Sequence, residues 1–125
     1  MISYPPLEGK GCPLLGQNRQ FQWFNSPTYI YPMVPSYAAT MLKEAGFDVV
    51  WDDAIAERLG FTQWLDKVKK EKPDVLVIET KTPVVKQHWQ IINKLKKLST
   101  VNFKLLTVLM GDHVTAMPGE TMENS

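Results

Sequence analysis

Four short segments hold the side chains best suited to chemistry. Gly111-Asp112-His113-Val114-Thr115 joins a glycine, a carboxylate, an imidazole and a hydroxyl. Glu79-Thr80-Lys81-Thr82 brings a carboxylate, an ammonium and two hydroxyls into four residues. Asp52-Asp53 is a carboxylate pair of the kind that can hold magnesium. Tyr4-Pro5-Pro6-Leu7 is a stiff, aromatic-led turn. An imidazole titrates near neutrality and can act as acid, base or ligand, so His113, two residues beyond a glycine, is the strongest single candidate. His88 falls within a helical apolar pattern and is read as a packed helix histidine. Cys12 is the only cysteine. It excludes an internal disulfide and any multi-thiolate metal site, and it suits a reducing cytoplasm. A nucleophilic thiol needs a base, and both histidines are distant in sequence, so Cys12 is read as a loop cysteine. Ser36, Asp112 and His113 lack the G-x-S-x-G turn that would make a nucleophile of the serine.

The elements around these segments alternate regularly from Ser36 onward. Ser36 to Ala45 is predicted as a helix with Ser36 as N-cap and Gly46 as the stop. Phe47 to Trp51 reads as a short strand, with Asp52-Asp53 capping its end. Thr62 is the expected N-cap of a second helix, with Trp64, Leu65 and Val68 facing inward. Val75-Leu76-Val77-Ile78 is an aliphatic run of the type found in strands covered on both faces. Thr82 and Pro83 should start the next helix, which runs to about Leu98. Its apolar face is Val84, His88, Ile91, Leu95 and Leu98, widened by Trp89 and Ile92. Lys104 to Met110 is predicted as a buried last strand, and Pro118 opens a possible further helix.

Strand-helix alternation with short connections implies parallel pairing and right-handed crossovers. The expected fold is α/β: a doubly wound, mainly parallel, three-layer sheet of flavodoxin-like or Rossmann-like type, with helices on both faces and edge strands missing. Ile2-Ser3-Tyr4 is taken as the tail of a first strand. Ligands of such sheets bind beyond the strand carboxyl ends near the switch point, which is where all four segments fall. The first 35 residues differ in character. They contain Pro5, Pro6, Pro13, Pro27, Pro32 and Pro35 and the loop glycines Gly9, Gly11 and Gly16, together with Tyr4, Phe21, Trp23, Phe24, Tyr29 and Tyr31. Such aromatic density must cover something.

Composition limits the function. The chain has 125 residues, 14 basic and 13 acidic, for a formal net charge of +1, with 44% apolar and 22% charged residues. This is a globular composition with one domain's worth of core. A near-neutral charge offers no footprint for nucleic acid and no attraction to an anionic membrane. No G-x-G-x-x-G or G-x-x-x-x-G-K-[ST] motif is present, which argues against dinucleotide and P-loop enzymes. A receiver-like role for Asp52 or Asp53 is the weakest alternative.

Val34 to Val49 resembles the P-x-G-L-x-Y-L-A-x-x-L-E-x-A-G-H-x-V stretch of cobalamin-binding domains fused to radical SAM domains. Pro73-Asp74-Val75-Leu76-Val77-Ile78 is similar to that family's P-D-V-V-G-I. Gly111 to Thr121 resembles its G-G-P-H-x-T-A-L-P-E-E-x-L, and Tyr4-Pro5-Pro6 its N-P-P. The family includes enzymes of the anaerobic magnesium-protoporphyrin IX monomethyl ester cyclase type. Ser36 and Asp112 stand where the family carries glycines. The D-x-H-x-x-G motif is absent, so the resemblance implies a cobalamin bound without a protein histidine on the cobalt. It implies contacts from Tyr4, Pro5, Pro6, Thr80, Lys81, Thr82, Gly111, Asp112, His113, Val114 and Thr115. Gly111 is expected to let the backbone approach the flat macrocycle. It further implies that residues 1–125 are one domain, the N-terminal part of a longer radical SAM protein. The iron–sulfur cluster and S-adenosylmethionine would then belong to another domain, because C-x-x-x-C-x-x-C is absent. The alternative is an α/β interaction domain that has lost its cofactor, for which Asp112 and the aromatic-rich N-terminal region speak.

Overall fold

The computed structural model describes residues 1–9, 11–15, 21–98 and 104–125. Four parallel strands form one sheet: β1 (Ile2–Tyr4), β4 (Trp51–Asp53), β5 (Val75–Glu79) and β6 (Leu106–Met110), in the order β4-β1-β5-β6. The segment between β1 and β4 holds an antiparallel hairpin of β2 (Cys12–Leu14) and β3 (Gln22–Phe24), followed by α1 (Met33–Glu44). Helices α2 (Phe61–Glu71) and α3 (Val85–Leu98) form the next crossovers, and α4 (Asp112–Ala116) and α5 (Pro118–Asn124) follow β6. This is an α/β fold of flavodoxin-like or Rossmann-like type, as the alternation of elements predicts. Gly16 lies outside the described residues. Among the described residues no helix is long and apolar enough to cross a membrane.

The register sorts the side chains of the sheet. Ser3 pairs with Asp52 and with Ile78, and Ile78 pairs with Leu109, so these four share a face. Leu76 and Ile78 on that face pack under Trp64 and Val68 of α2 and Ile91, Ile92 and Leu95 of α3. The expected apolar stripe of α3 is therefore the stripe it buries, with His88 completely enclosed. Leu98 closes α3, and its side chain lies outside the described residues.

The opposite face corrects two expectations. Val75 is exposed, Leu106 is 61% exposed and Val108 is 40% exposed, so β5 and β6 are covered on one side only. The cause is the handedness of the crossovers, which sends α2 and α3 to the same side. Helix α1 stands beside the other face near β1, across a cleft of about 570 Å³ that Leu42 and Phe47 share with Ile2, Val75 and Val77.

Several boundaries also move. Helix α1 begins at Met33 rather than after Ser36. Pro35 sits in its first turn, where a missing N–H costs nothing, and the Ser36 hydroxyl bonds back to the Met33 carbonyl at 2.7 Å. Its end is as predicted. Gly46 takes φ +92°, Gly46 N bonds Lys43 O and Phe47 N bonds Leu42 O, a Schellman closure. Residues 47–50 run into β4 without strand pairing of their own, and only Val50 O accepts from Ile2 N. Helix α2 is capped by Gly60, whose N–H bonds the Gln63 side chain at 2.9 Å, not by Thr62. A tight turn over 82–84, closed by Val84 N to Lys81 O, precedes α3 where Thr82 and Pro83 were expected to begin it.

Asp52 does not solvate a turn. It lies within β4, is 1% exposed, and accepts the Ser3 hydroxyl at 2.5 Å and the Lys67 ammonium at 2.7 Å. Trp64 Nε1 donates to the same Ser3 hydroxyl at 2.9 Å. One serine thereby ties the central strand to its neighbour and to α2. Replacing Ser3 by Ala leaves the indole N–H and one Asp52 oxygen without that partner. The expected cost is about 1–3 kcal/mol. Urea denaturation of Ser3→Ala checks this, and an unchanged midpoint would contradict it.

Candidate functional site

The strand order makes β1, β5 and β6 neighbours, so Tyr4-Pro5-Pro6, Thr80-Lys81-Thr82 and Gly111 to Thr115 meet at one end of the sheet. Three of the four segments singled out by residue type are thus adjacent. Asp52 is not with them, because its side chain points under α2. Asp53 ends β4, half-buried, and accepts the Ala56 N–H at 3.0 Å. Burial raises its carboxyl above the usual range, the Ala56 amide lowers it, and the Asp52 charge raises it again.

A chain of polar contacts runs across the strand ends. The Tyr4 hydroxyl, at the end of β1, donates to Glu79 at the end of β5. Burial, then the Glu79 hydrogen bond and the charges of Glu79 and Asp53, push the phenol far above its ordinary range, so it remains protonated. Lys81 is almost completely buried, and its Nζ lies 3.5 Å from Glu79 and 3.1 Å from Asp112, the first residue of α4. Behind this chain, His88 Nδ1 meets the Thr80 hydroxyl at 2.7 Å, and His113 Nδ1 meets the Thr82 hydroxyl at 3.2 Å. The His113 ring stands edge-on to Trp89 with centroids 5.8 Å apart, and its Nε2 is 3.6 Å from Glu120 of α5. Neither histidine Nε2 has a hydrogen-bond partner among the described residues.

Burial divides the eleven predicted residues into two groups. Tyr4, Pro5, Thr80, Lys81 and His113 are buried. Thr82, Asp112 and Thr115 are exposed, and Pro6, Gly111 and Val114 are half-exposed. The first group holds the strand ends together, and the second forms the accessible rim. Glu79, which belongs to a segment singled out by residue type but not to the implied corrinoid contacts, and His88, read as a packed helix histidine, complete the network. Glu79 closes a strand and pairs across from Tyr4 in the extended register, a relation visible only once the register is known. Gly111 also has a different role from the one expected. It adopts φ +121°, and a Cβ there would overlap the Thr80 carbonyl oxygen. The glycine is required by the packing of β6 on β5 before any ligand arrives.

The aromatic N-terminal region covers the β1 side of this end. Leu15 packs with Tyr4 and Val84, joined by Leu7, Phe21, Trp23 and Trp51. Cys12 lies in the hairpin, with its thiol donating to the Thr28 carbonyl at 3.2 Å. Among the described residues no group of three or more His, Cys, Asp or Glu could hold a metal ion. In comparisons with known proteins, no family model, curated protein or solved structure matches this chain at a significant level.

Two outcomes follow from this geometry. Burial lowers the His88 imidazole from its ordinary value of 6.5 to about 4, so the folded state resists its protonation. Its contribution is complete above pH 6.5 and is lost as pH falls toward 4, reaching roughly 3 kcal/mol at pH 4. Denaturation midpoints of wild type and His88→Gln between pH 7 and 4 should converge as the pH falls, whereas parallel profiles would contradict the assignment. Gly111→Ala should destabilise the fold by roughly 1–3 kcal/mol from backbone strain alone. A thermal midpoint equal to wild type would refute the packing role.

Proposed function

We propose that this chain is a corrinoid-binding module, with the ligand seated over the carboxyl ends of β1, β5 and β6. The carrying observation is that Tyr4-Pro5-Pro6 and Gly111 to Thr115, which carry part of the family resemblance, are neighbours at one end of a parallel sheet with Thr80-Lys81-Thr82, which follows the resembling stretch Pro73 to Ile78. That end is where open α/β sheets take their ligands. The exposed rim fits the periphery of a corrin. Thr82 and Thr115 present hydroxyls, Asp112 a carboxylate, and Pro6 and Val114 apolar edges. Tyr4, Pro5, Thr80, Lys81 and His113 position that rim from below, and Gly111 lies within it.

When bound, a corrinoid supplies a cobalt centre able to carry an alkyl group or electrons. The residues of this chain bind and orient it. The Thr115 hydroxyl, which donates to Gly111 O, accepts from corrin amide N–H groups, and the Thr82 hydroxyl, beside His113 Nδ1, meets a corrin amide with its remaining capacity. Asp112, held by Lys81, accepts amide N–H groups at the rim. His113 is enclosed between Trp89, Thr82 and Glu120, which supports a positioning role and no bond to cobalt. The same proposal extends to a radical SAM domain in the same polypeptide, supplying the iron–sulfur cluster and S-adenosylmethionine. Tetrapyrrole chemistry of the anaerobic cyclase type and a cytoplasmic setting are part of it.

A second reading, an α/β interaction domain without cofactor, is favoured by one observation. Val34, Tyr37, Met41 and Phe47 on and after α1, and Leu106 on β6, are each at least 60% exposed. Monomeric proteins seldom leave that much apolar surface open.

Titration with hydroxocobalamin separates the two. The corrinoid reading expects an absorbance change and co-elution on gel filtration. Thr82→Val and Thr115→Val should each weaken binding about fivefold, the worth of one neutral hydrogen bond. His113→Ala should leave the spectrum of the bound cobalt unchanged. Absence of any spectral change or co-elution would favour the interaction domain.

A further inference from the structure

On the other side of β1, a cavity of about 320 Å³ opens between the hairpin and the turn that follows β4. Leu7, Pro13, Ile55 and Leu59 give it apolar walls, and Arg58, Asn25 and Cys12 contribute polar groups. Its volume is at the small end of ligand sites, enough for one ring and its substituent.

Arg58 is the unusual residue here. It adopts φ +54°, a left-handed conformation that an arginine holds only when its surroundings impose it. The turn imposes it through Arg58 N to Ile55 O at 3.1 Å and Leu59 N to Ala54 O at 2.9 Å. The guanidinium is also oriented. Its Nε donates to the Tyr29 hydroxyl at 2.7 Å, and its carbon lies 5.7 Å from the Tyr29 ring centre. Anchoring through Nε leaves the two Nη groups for another partner. No ion pair among the described residues uses them, and the adjacent Glu57 is engaged by Lys67 at 2.9 Å. The left-handed φ is that of the C′ position of a Schellman closure, and it is the Tyr29 contact that orients the exposed guanidinium; an oriented cation without an acid, beside an apolar cavity, is placed to accept an anion. The planar Nη pair matches the two oxygens of a carboxylate or phosphate.

We infer that this cavity binds a small organic oxyanion, a carboxylate or phosphate carried on an apolar ring. Arg58 grips the oxygens and the ring lies against Leu7, Pro13 and Ile55. The site adjoins the rim at Pro6 but draws its other walls from the hairpin and the turn after β4, and it stands whether or not a corrinoid binds at the rim.

Cys12 reports occupancy, since it is the only thiol of the chain and it lines the cavity. Alkylation of the full chain by iodoacetamide, a neutral reagent, is followed by mass with and without probe. Saturating phenyl phosphate or benzoate should slow alkylation at least fivefold, the better of the two identifying the preferred oxyanion. Phenol and inorganic phosphate at the same concentration should slow it less than twofold. Arg58→Gly relieves the left-handed strain, so its thermal midpoint should equal or exceed that of wild type while protection disappears. Arg58→Gln should lose protection as well, each variant being compared with its own unprotected control. No protection by either aromatic anion, equal protection by inorganic phosphate, or undiminished protection in Arg58→Gly would each overturn the inference.

Discussion

The sheet depends on how a three-residue strand is held at its centre. β1 is only Ile2–Tyr4, yet β4 and β5 both pair with it. Three residues give too few ladder bonds to fix a register by themselves. Buried polar contacts supply what is missing. Ser3 receives the Trp64 indole N–H and donates to Asp52, which also binds Lys67 of α2. Below it, the chain's own amino group donates to the Val75 carbonyl at 2.8 Å and Met1 O accepts from Val77 N. A slip of one residue would turn Ser3 toward the open face and leave Asp52 buried without its hydroxyl, so the alternatives are costly.

The same economy recurs at the carboxyl ends. Tyr4, Glu79, Lys81 and Asp112 join β1, β5 and α4 through side chains where the backbone ladder has stopped. Lys81 is buried between two carboxylates, a placement tolerable only because both are present. Gly111 allows β6 to turn against Thr80. This layer is cross-linked by hydrogen bonds and ion pairs, and the groups able to meet a ligand stand on top of it. A large ligand seated there would touch Pro6, Thr82, Asp112, Val114 and Thr115, while the interior network fixes where those five point.

Much of this was legible in the sequence. Period and punctuation were enough for α3, for the Gly46 stop of α1, for β5 and for the parallel topology, because each rests on local signals. The segments Glu79-Thr80-Lys81-Thr82 and Gly111 to Thr115 were expected at the strand carboxyl ends for the same reason, and the structure places them there. Tertiary effects were hidden. Asp52 looked like a turn residue because aspartate is rarely buried, and only Ser3, Trp64 and Lys67, each far away in sequence, make its burial tolerable. The aliphatic run at Val75 to Ile78 looked enclosed on both sides, but composition does not tell which face a crossover helix will take. Ser36 looked like a cap because serine is a favoured N-cap residue, although the helix begins at Met33 and admits Pro35 in its first turn. Arg58 gave no signal at all, since positive φ at a non-glycine position leaves no trace in residue type.

Chemical-shift mapping tests the central claim, that the strand carboxyl ends are the corrinoid-facing surface, most directly. Amide spectra of the 15N-labelled chain would be recorded with and without hydroxocobalamin. The account predicts that the largest changes fall on Thr82 and on Asp112 to Thr115, with Val75, Leu106 and Val108 on the open sheet face unaffected. Changes confined to that open face, with the rim residues silent, would contradict it.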